Sequence, residues 1–194
     1  MAKNKIRPGV YLYPMPVSII GTQVNGKPNF MTLAWVNIIE LKPPLLAIAS
    51  YEKHYTNIGI KENKTFSVNI PSEGMVEVAD YVGLVSGKEI DKSEVFEVFY
   101  GDLKTAPMIT HAPINLECEL LKTIETKELT GAERGHELFI GRIANAYADD
   151  FFMKNELPDI TKVKPFVFSI DNNYWKIGDR LGKAFKIGEN YTRE

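Results

Sequence analysis

Residues 17–35 read VSIIGTQVNGKPNFMTLAW, in which two apolar runs flank the dipeptide Asn25-Gly26. Asn-Gly between two such runs is the strongest short-range signal for a β-hairpin, because both residues tolerate the positive φ that a two-residue turn requires. The stretch therefore predicts a hairpin over residues 16–37. Its second strand carries Thr32 and Trp35 among apolar residues. A plain buried strand has little use for either, which raises the question of what else this strand does.

Further strands are predicted wherever short apolar or alternating runs end at proline, glycine or polar residues. These runs are residues 45–50, 65–70, 114–126, 137–148 and 165–170. The two long runs can pair as a hairpin across the polar link KELTGAERG. Helical spacing predicts a short helix over residues 55–63 and an amphipathic segment over residues 73–85. The tail WKIGDRLGKAFKIG predicts loop with short extended pieces.

Six or seven strands with few helices predict a mainly β fold. Strands joined as hairpins form an antiparallel sheet, which must close or pack on itself to bury its edges. A length of 194 residues and a hydrophobic content of 44% suit one domain over residues 1–194. A small β-barrel with peripheral helices is the expected architecture.

The charge balance and the cysteine content narrow the function class. With 23 basic and 25 acidic side chains the formal charge is −2, so no global field attracts nucleic acid, and a small-molecule partner is expected. Cys118 is the single cysteine, which excludes an intrachain disulfide and fits a reducing cytoplasm. The N-terminus MAKNKIRPGV lacks the features of a signal peptide, and no run is long and apolar enough for a membrane helix. We expect a cytoplasmic protein that binds neither nucleic acid nor membrane.

The histidines and the short catalytic motifs do not by themselves indicate a metal site or an active site. His54, His111 and His136 lie far apart in the sequence, so no pair has the short spacing of a local metal site. No metal site is expected. The S-x-x-K pattern at residues 50–53 lacks the companion elements of serine acylases.

Residues 50–56, SYEKHYT, place hydroxyl groups and two cationic candidates between a predicted strand and a predicted helix. Free N–H groups and the helix dipole favour an anion at such a helix start. Lys53, His54 and Thr56 therefore predict a phosphate-binding turn. The alternative is that Thr56 only caps the helix while Lys53 is solvated.

Four stretches in a fixed order carry a resemblance to a known family. They are the hairpin quoted above, KPPLLAIAS, HYTNIGIKENKTFSVNIPS and GHELFIGRI. In this order the chain resembles the flavin reductase-like family of FMN-binding split barrels, in particular its flavoredoxin and ferric reductase-like branch. The resemblance implies an antiparallel six-stranded split β-barrel with a few peripheral helices. It also implies a homodimer with one FMN in each of two sites at the interface.

The resemblance also implies which residues hold FMN. Thr32 and Ala34 would lie against the flavin ring, and Met31 or Trp35 would wall its pocket, which answers the question raised by this strand. For Met31 and Trp35, ordinary core packing is the alternative; for Asn69 it is an asparagine that satisfies a turn. The residues expected at the FMN site are Asn29, Met31, Thr32, Ala34, Trp35, Ser50, Tyr51, Lys53, His54, Tyr55, Thr56 and Asn69.

The electron donor is less defined by this resemblance. His136 stands in Gly-His-Glu where many NAD(P)H-dependent members carry Gly-Asp-His, and there the histidine lies near the nicotinamide. The first hypothesis is an oxidoreductase that passes electrons from NAD(P)H through FMN to free flavin, ferric complexes or another small acceptor. The second is a flavoredoxin-like carrier that a redox protein partner reduces. The third is a flavin-free binding or scaffold protein. With FMN bound, the cofactor supplies the chemistry, so no catalytic side chain is expected.

Overall fold

The structure is a computed structural model that describes residues 2–189 and 191–192. In these residues the strands are β1 Met15–Pro16, β2 Ser18–Val24, β3 Lys27–Leu33, β4 Val36–Leu41, β5 Pro44–Tyr51, β6 Thr65–Ile70, β7 Val98–Phe99, β8 Met108–Ile109, β9 Ile114–Glu125, β10 His136–Ala148, β11 Met153–Lys154, β12 Leu157–Pro158, β13 Phe166–Ser169 and β14 Asn173–Lys176. The helices are α1 Thr56–Asn63, α2 Val76–Leu84, α3 Thr126–Thr130 and α4 Ile160–Val163, with 3-10 turns at Glu73–Met75 and Asp150–Phe152.

The hairpin predicted from Asn-Gly is confirmed. Strands β2 and β3 pair antiparallel from Ser18 opposite Leu33 to Val24 opposite Lys27. Between them Asn25 has φ 52° and Gly26 has φ 76°, both in the left-handed region that the turn requires.

The predicted antiparallel, mainly β fold is confirmed. Seven strands form one sheet in the order β3-β2-β6-β9-β10-β5-β4. The two edge strands of this sheet, β3 and β4, are consecutive in the chain and are separated only by Ala34 and Trp35. The carbonyl of Trp35 accepts from the Ala49 amide at 2.9 Å, which extends the pairing of β4 with β5 back to this bend. The run predicted as one strand up to residue 37 therefore forms two.

The two long predicted strands also pair as expected. Strands β9 and β10 are antiparallel over their length, with register shifts after Ile140 and after Ile143. The link between them, predicted as loop, contains the short helix α3. The tail is loop after a short extended piece, as predicted: its first two residues belong to β14, which pairs with β13, and β13 pairs with β1.

Alternating residues of β3 enter two different apolar clusters. Met31 and Leu33 pack on one side of the sheet with Ile20, Leu46 and other buried residues. Phe30 points to the other side, where the buried cluster includes Ala79 and Val82 of α2. The apolar residues of β3 are therefore buried on both faces of the sheet.

Helix α1 lies close against β2 and is held there at its C-terminal end. The Asn63 side chain donates to the carbonyl of Gln23 at 2.7 Å. A Cβ at Gly59 would lie 2.1 Å from that same carbonyl oxygen, so only glycine permits this approach. The position of the turn between β5 and α1 is thereby set relative to the hairpin. None of the helices in the described residues is long and apolar enough to cross a membrane.

Candidate functional site

Thr56 opens helix α1 but does not cap it. The N-cap position is Tyr55, and no side chain makes a capping bond there. Thr56 is 2% exposed, and its Oγ1 accepts from Asn29 Nδ2 at 2.7 Å. The capping part of the alternative is therefore wrong, whereas Lys53 is exposed, as that alternative expected. Because the oxygen of Thr56 acts as the acceptor towards Asn29, its own hydroxyl hydrogen is available to a ligand.

A cleft opens beside this turn and brings half of the predicted FMN residues together. The cleft also includes Lys92 and the residues at the end of α2 and just after it. The sequence had not indicated any of these as site residues. Its walls are formed by Met31, Thr32, Lys53, His54, Tyr55, Thr56, Val82, Gly83, Leu84, Val85, Ser86, Gly87 and Lys92. These described residues include two lysines and a histidine but no carboxylate, so the cleft suits an anion.

Lys92 is the buried cation of this cleft. The residue is 4% exposed, and its Nζ donates to the carbonyls of Phe30 at 2.9 Å and Val82 at 2.8 Å. Burial lowers the pKa of Lys92 to about 8. An ammonium group has three hydrogens, so a third donor remains for a ligand.

The cleft continues along β3 towards Trp35. A neighbouring cleft of about 250 Å³ shares Thr32, Gly83 and Leu84 with the first and also contacts Ala34. Ala34 in turn borders a more apolar groove of about 750 Å³ that includes Trp35. The polar turn and the apolar groove are thus joined by one strand.

Thr32 and Met31 lie in this path with their polar atoms already engaged. The Thr32 hydroxyl donates to the carbonyl of Ala79 in α2. Met31 belongs to a core cluster, and its sulfur lies 3.6 Å from Ser50 Oγ. Met31 is therefore mainly a core residue, as the alternative expected, and it also lines the cleft.

Three aromatic rings meet near the bend at Trp35. The ring centroids of Trp35 and His136 are 4.7 Å apart, and those of His136 and Tyr51 are 5.7 Å apart. His136 lies directly opposite Tyr51 in the pairing of β10 with β5. Trp35 is 40% exposed, so it is not a core residue in the isolated chain. The fold therefore brings His136 to the predicted ring end of the site.

Behind the turn, a chain of buried polar groups supports Ser50 and His54. Ser50 Oγ lies 2.9 Å from His54 Nδ1 and 2.6 Å from Asn57 Oδ1. Asn57 Nδ2 lies 2.8 Å from Glu137 Oε2, and Lys61 donates to Oε1 of the same carboxylate at 2.6 Å. A salt bridge on Glu137 thus ends a continuous hydrogen-bonded chain that begins at the cleft.

The structure does not bring Asn69 to the clefts. This residue is 0% exposed, and its Nδ2 donates to the carbonyl of Ile19 at 2.9 Å and to Ser67 Oγ at 3.0 Å. Its Oδ1 accepts from the Ile109 amide at 2.9 Å and from Asn115 at 2.8 Å. Its hydrogen-bonding groups are all used within the chain, which agrees with the structural alternative for this residue.

The sequence of this chain is similar to that of a known protein family. A family model described as a flavin reductase like domain matches residues 10–158. The chain belongs to the flavin reductase like family. The family indicated by the sequence motifs is thereby confirmed.

Solved structures of similar proteins span nearly all of this flavin reductase like chain. A flavoredoxin from Methanosarcina acetivorans is 45% identical with a TM-score of 0.91, covering 97% of this chain and 98% of that chain. The flavoredoxin of Desulfovibrio vulgaris (Miyazaki F) is 32% identical with a TM-score of 0.86, covering 97% of this chain and 100% of that chain. An FMN-binding protein from Thermus thermophilus shares the fold, with a TM-score of 0.76 at 21% identity and coverage of 94% and 98%.

Sequence reasoning missed three residues of this candidate site. Lys92 stands in KEIDKSE, a polar stretch typical of solvated lysines, and nothing in it signals burial. Asn57 and Glu137 were assigned only to a helix and a strand. No signal in the sequence pairs them, since their partners are distant in the chain.

Among the described residues, no group of three or more His, Cys, Asp or Glu side chains could hold a metal ion.

Proposed function

We propose that this flavin reductase like domain binds FMN and acts as a flavoprotein oxidoreductase. The observation that carries the proposal is the cleft lined by Lys53, Thr56 and Lys92, whose described lining includes no carboxylate. Charge-assisted hydrogen bonds to a phosphate are short and strong, so this donor set fits the phosphate of FMN. Our fold proposal follows the same resemblance: β3 and β4, counted as one bent strand, make a six-stranded split barrel over a single domain of residues 1–194.

The other predicted FMN residues would contact the ribityl chain and the ring of the cofactor. Thr32 and Ala34 line the path from the polar cleft to the apolar groove, where a ribityl chain and a flat ring would fit in turn. The Thr32 hydroxyl already donates to α2, so towards FMN it can act only as an acceptor. Ser50 and Tyr51 support the turn from behind rather than through the cleft.

A homodimer is proposed on the apolar surface next to this groove. Ile38 and Leu41 of β4 are exposed beside the groove that includes Trp35. Contiguous exposed apolar surface marks interaction sites, and a second copy of the chain would cover it and enclose the ring. Analytical ultracentrifugation tests this assembly, and a monomer at micromolar concentration would refute it. We propose the cytoplasm as its compartment, in line with the single, buried and unpaired Cys118.

When bound, FMN supplies hydride acceptance and transfer of one or two electrons. The described residues bind it, orient it and exclude water from it. For the electron source we propose NAD(P)H, with free flavin, a ferric complex or another small molecule as acceptor. A flavoredoxin-like carrier that a protein partner reduces is the second candidate. The similarity to two flavoredoxins and the missing aspartate before His136 favour it.

An absorption spectrum tests the cofactor proposal directly. Purified protein is measured before and after loading with FMN and removal of the excess, and then with NADH and NADPH under anaerobic conditions. A flavin band near one per chain is expected, and rapid bleaching selects the NAD(P)H-dependent enzyme over the carrier. Protein that stays colourless after loading would refute both flavin functions.

A further inference from the structure

The side chain of Asn57 has only one orientation that satisfies its neighbours. Its Nδ2 lies 3.0 Å from the carbonyl oxygen of Tyr51. A carbonyl has no hydrogen to donate, so the atom of Asn57 beside it must be the amide nitrogen. Asn57 Oδ1 therefore faces Ser50 Oγ at 2.6 Å and needs a donor there.

Ser50 has to supply that donor, and this determines the tautomer of His54. A hydroxyl has a single hydrogen, which here points to Asn57. Ser50 Oγ can therefore only accept from His54 Nδ1, at 2.9 Å. Nδ1 of His54 must then carry a hydrogen, and Nε2 is bare whenever the ring is neutral.

The bare nitrogen belongs to a ring that lines the cationic cleft. Nε2 has no hydrogen-bond partner among the described residues, whereas Nδ1 is engaged with Ser50. Partial burial lowers the pKa of His54, and electrostatic repulsion from His136 and Lys92 lowers it further. The ionisable groups around the ring are Tyr51, Lys53, Tyr55, Lys92, His136 and, through Asn57, Glu137. In the ligand-free protein at neutral pH, the ring is therefore an acceptor among donors.

We propose that His54 takes up one proton from solution at Nε2 when the phosphate of FMN binds, with Ser50 and Asn57 as the positioning residues that impose this coupling. The inference rests on the proposed FMN site. A phosphate dianion has no hydrogen to donate, so a bare Nε2 beside it would be repelled. A protonated Nε2 donates a charge-assisted bond instead. Without the constraint from Ser50, a neutral ring could present Nε2–H to the phosphate and no proton would be needed.

The tautomer is tested first, in the protein without FMN. The ¹⁵N NMR shifts of the histidine rings distinguish Nδ1–H from Nε2–H, and His54→Gln assigns the signal. We expect neutral His54 to carry its hydrogen on Nδ1. In Asn57→Ala the Ser50 hydroxyl is released and can donate to the ring, so the signal should shift towards Nε2–H. Wild-type His54 with its hydrogen on Nε2 would overturn the inference whatever the protein binds.

Proton uptake is then measured by titration calorimetry in buffers of different ionisation enthalpy. At about pH 7, where free FMN is mainly a dianion and Lys92 with its pKa of about 8 still carries its proton, we expect uptake of about one proton for each FMN bound and none for riboflavin. In Ser50→Ala the uptake should fall towards zero. Ser18→Ala is the matched control, because Ser18 is equally buried in β2 and its hydroxyl has no hydrogen-bond partner in the described structure.

The outcomes separate this inference from the function on which it rests. Absence of FMN binding would refute the proposed function. FMN binding without proton uptake, or uptake that Ser50→Ala leaves unchanged, would refute the coupling alone. The NMR signal of His54 in the complex locates the proton: a ring that stays neutral while FMN carries the proton would also refute it.

Discussion

Two buried polar clusters on the same sheet differ in what they leave unpaired. Around Asn69, every donor and acceptor of the side chain is satisfied by Ile19, Ser67, Ile109 and Asn115. Around the β5–α1 turn, the Thr56 hydroxyl hydrogen, one hydrogen of Lys92 and Nε2 of His54 remain. Asn69 and Thr56, one from each cluster, are both buried, and both were predicted to bind FMN. The comparison shows that a candidate site is recognised by its unpaired groups rather than by burial or polarity.

Replacing Asn69 with alanine tests the saturated cluster and should have the largest effect. The change leaves the Ile109 amide and Asn115 without their acceptor, so the free energy of unfolding should fall by about 2 to 4 kcal/mol. Urea denaturation measures it. The exposed Asn37→Ala is the control and should change stability by less than about 0.5 kcal/mol. A folded Asn69→Ala protein with native stability but weakened FMN binding would place Asn69 in the site after all.

Replacing Thr56 and Lys53 with alanine tests the unsaturated cluster. Loss of donors to a charged phosphate should weaken FMN binding by about 1.5 to 3 kcal/mol, and riboflavin binding much less. Fluorescence quenching of each flavin on binding gives both affinities. Equal losses for the two ligands would show that the turn does not hold the phosphate.

The pH dependence of FMN binding sharpens the role of Lys92. Its pKa of about 8 in the folded protein lies below that of an unfolded lysine, so the charged form is disfavoured by burial. FMN affinity should therefore fall as the pH rises above about 8, where the ammonium becomes neutral. Over the same window, the stability of the wild type relative to Lys92→Met should rise, since the unfolded chain binds more protons. In Lys92→Met, both the FMN affinity and the stability should change less with pH over this window. Unchanged pH dependence would show that Lys92 does not contribute to FMN binding.

Replacing His136 with alanine should have the smallest effect on FMN binding. The ring packs on Trp35 rather than in the anion cleft, so the lost aromatic contact of about 0.5 to 1.5 kcal/mol lowers the stability of the fold and leaves the phosphate contacts intact. If NAD(P)H is the donor, reduction by nicotinamide should slow while FMN affinity stays close to that of the wild type. Stopped-flow reduction measures the rate, and unchanged kinetics would exclude His136 from donor binding.

The local order of the chain was largely readable from its sequence. Asn25-Gly26 specifies a turn with positive φ, and the alternation and length of the apolar runs specify the strands around it. The predicted strands were all found, with limits close to those expected. The bend at Ala34 and the separate strand β4 after it were not predicted, because their cause is the return of the chain to β5 and not a local breaker residue.

The candidate site could be predicted only in part, for a physical reason. The residues of SYEKHYT are neighbours in the chain, so their clustering at one turn follows from a local strand-to-helix pattern. Lys92 enters the same cleft from a loop after α2 because two carbonyls of the folded chain accept from it. A polar loop sequence contains no information about such acceptors.

By itself, the sequence determined the hairpin, the antiparallel β class and the position of the polar turn, because turn φ and side-chain periodicity are properties of neighbouring residues. Only the tertiary structure decided which polar groups stay unpaired. Three of the four hydrogen bonds of Asn69 join it to residues 40 or more positions away, and Asn57 meets Glu137 at a separation of 80. Hydrogen bonds at such separations depend on sheet register and strand order, which no local pattern encodes.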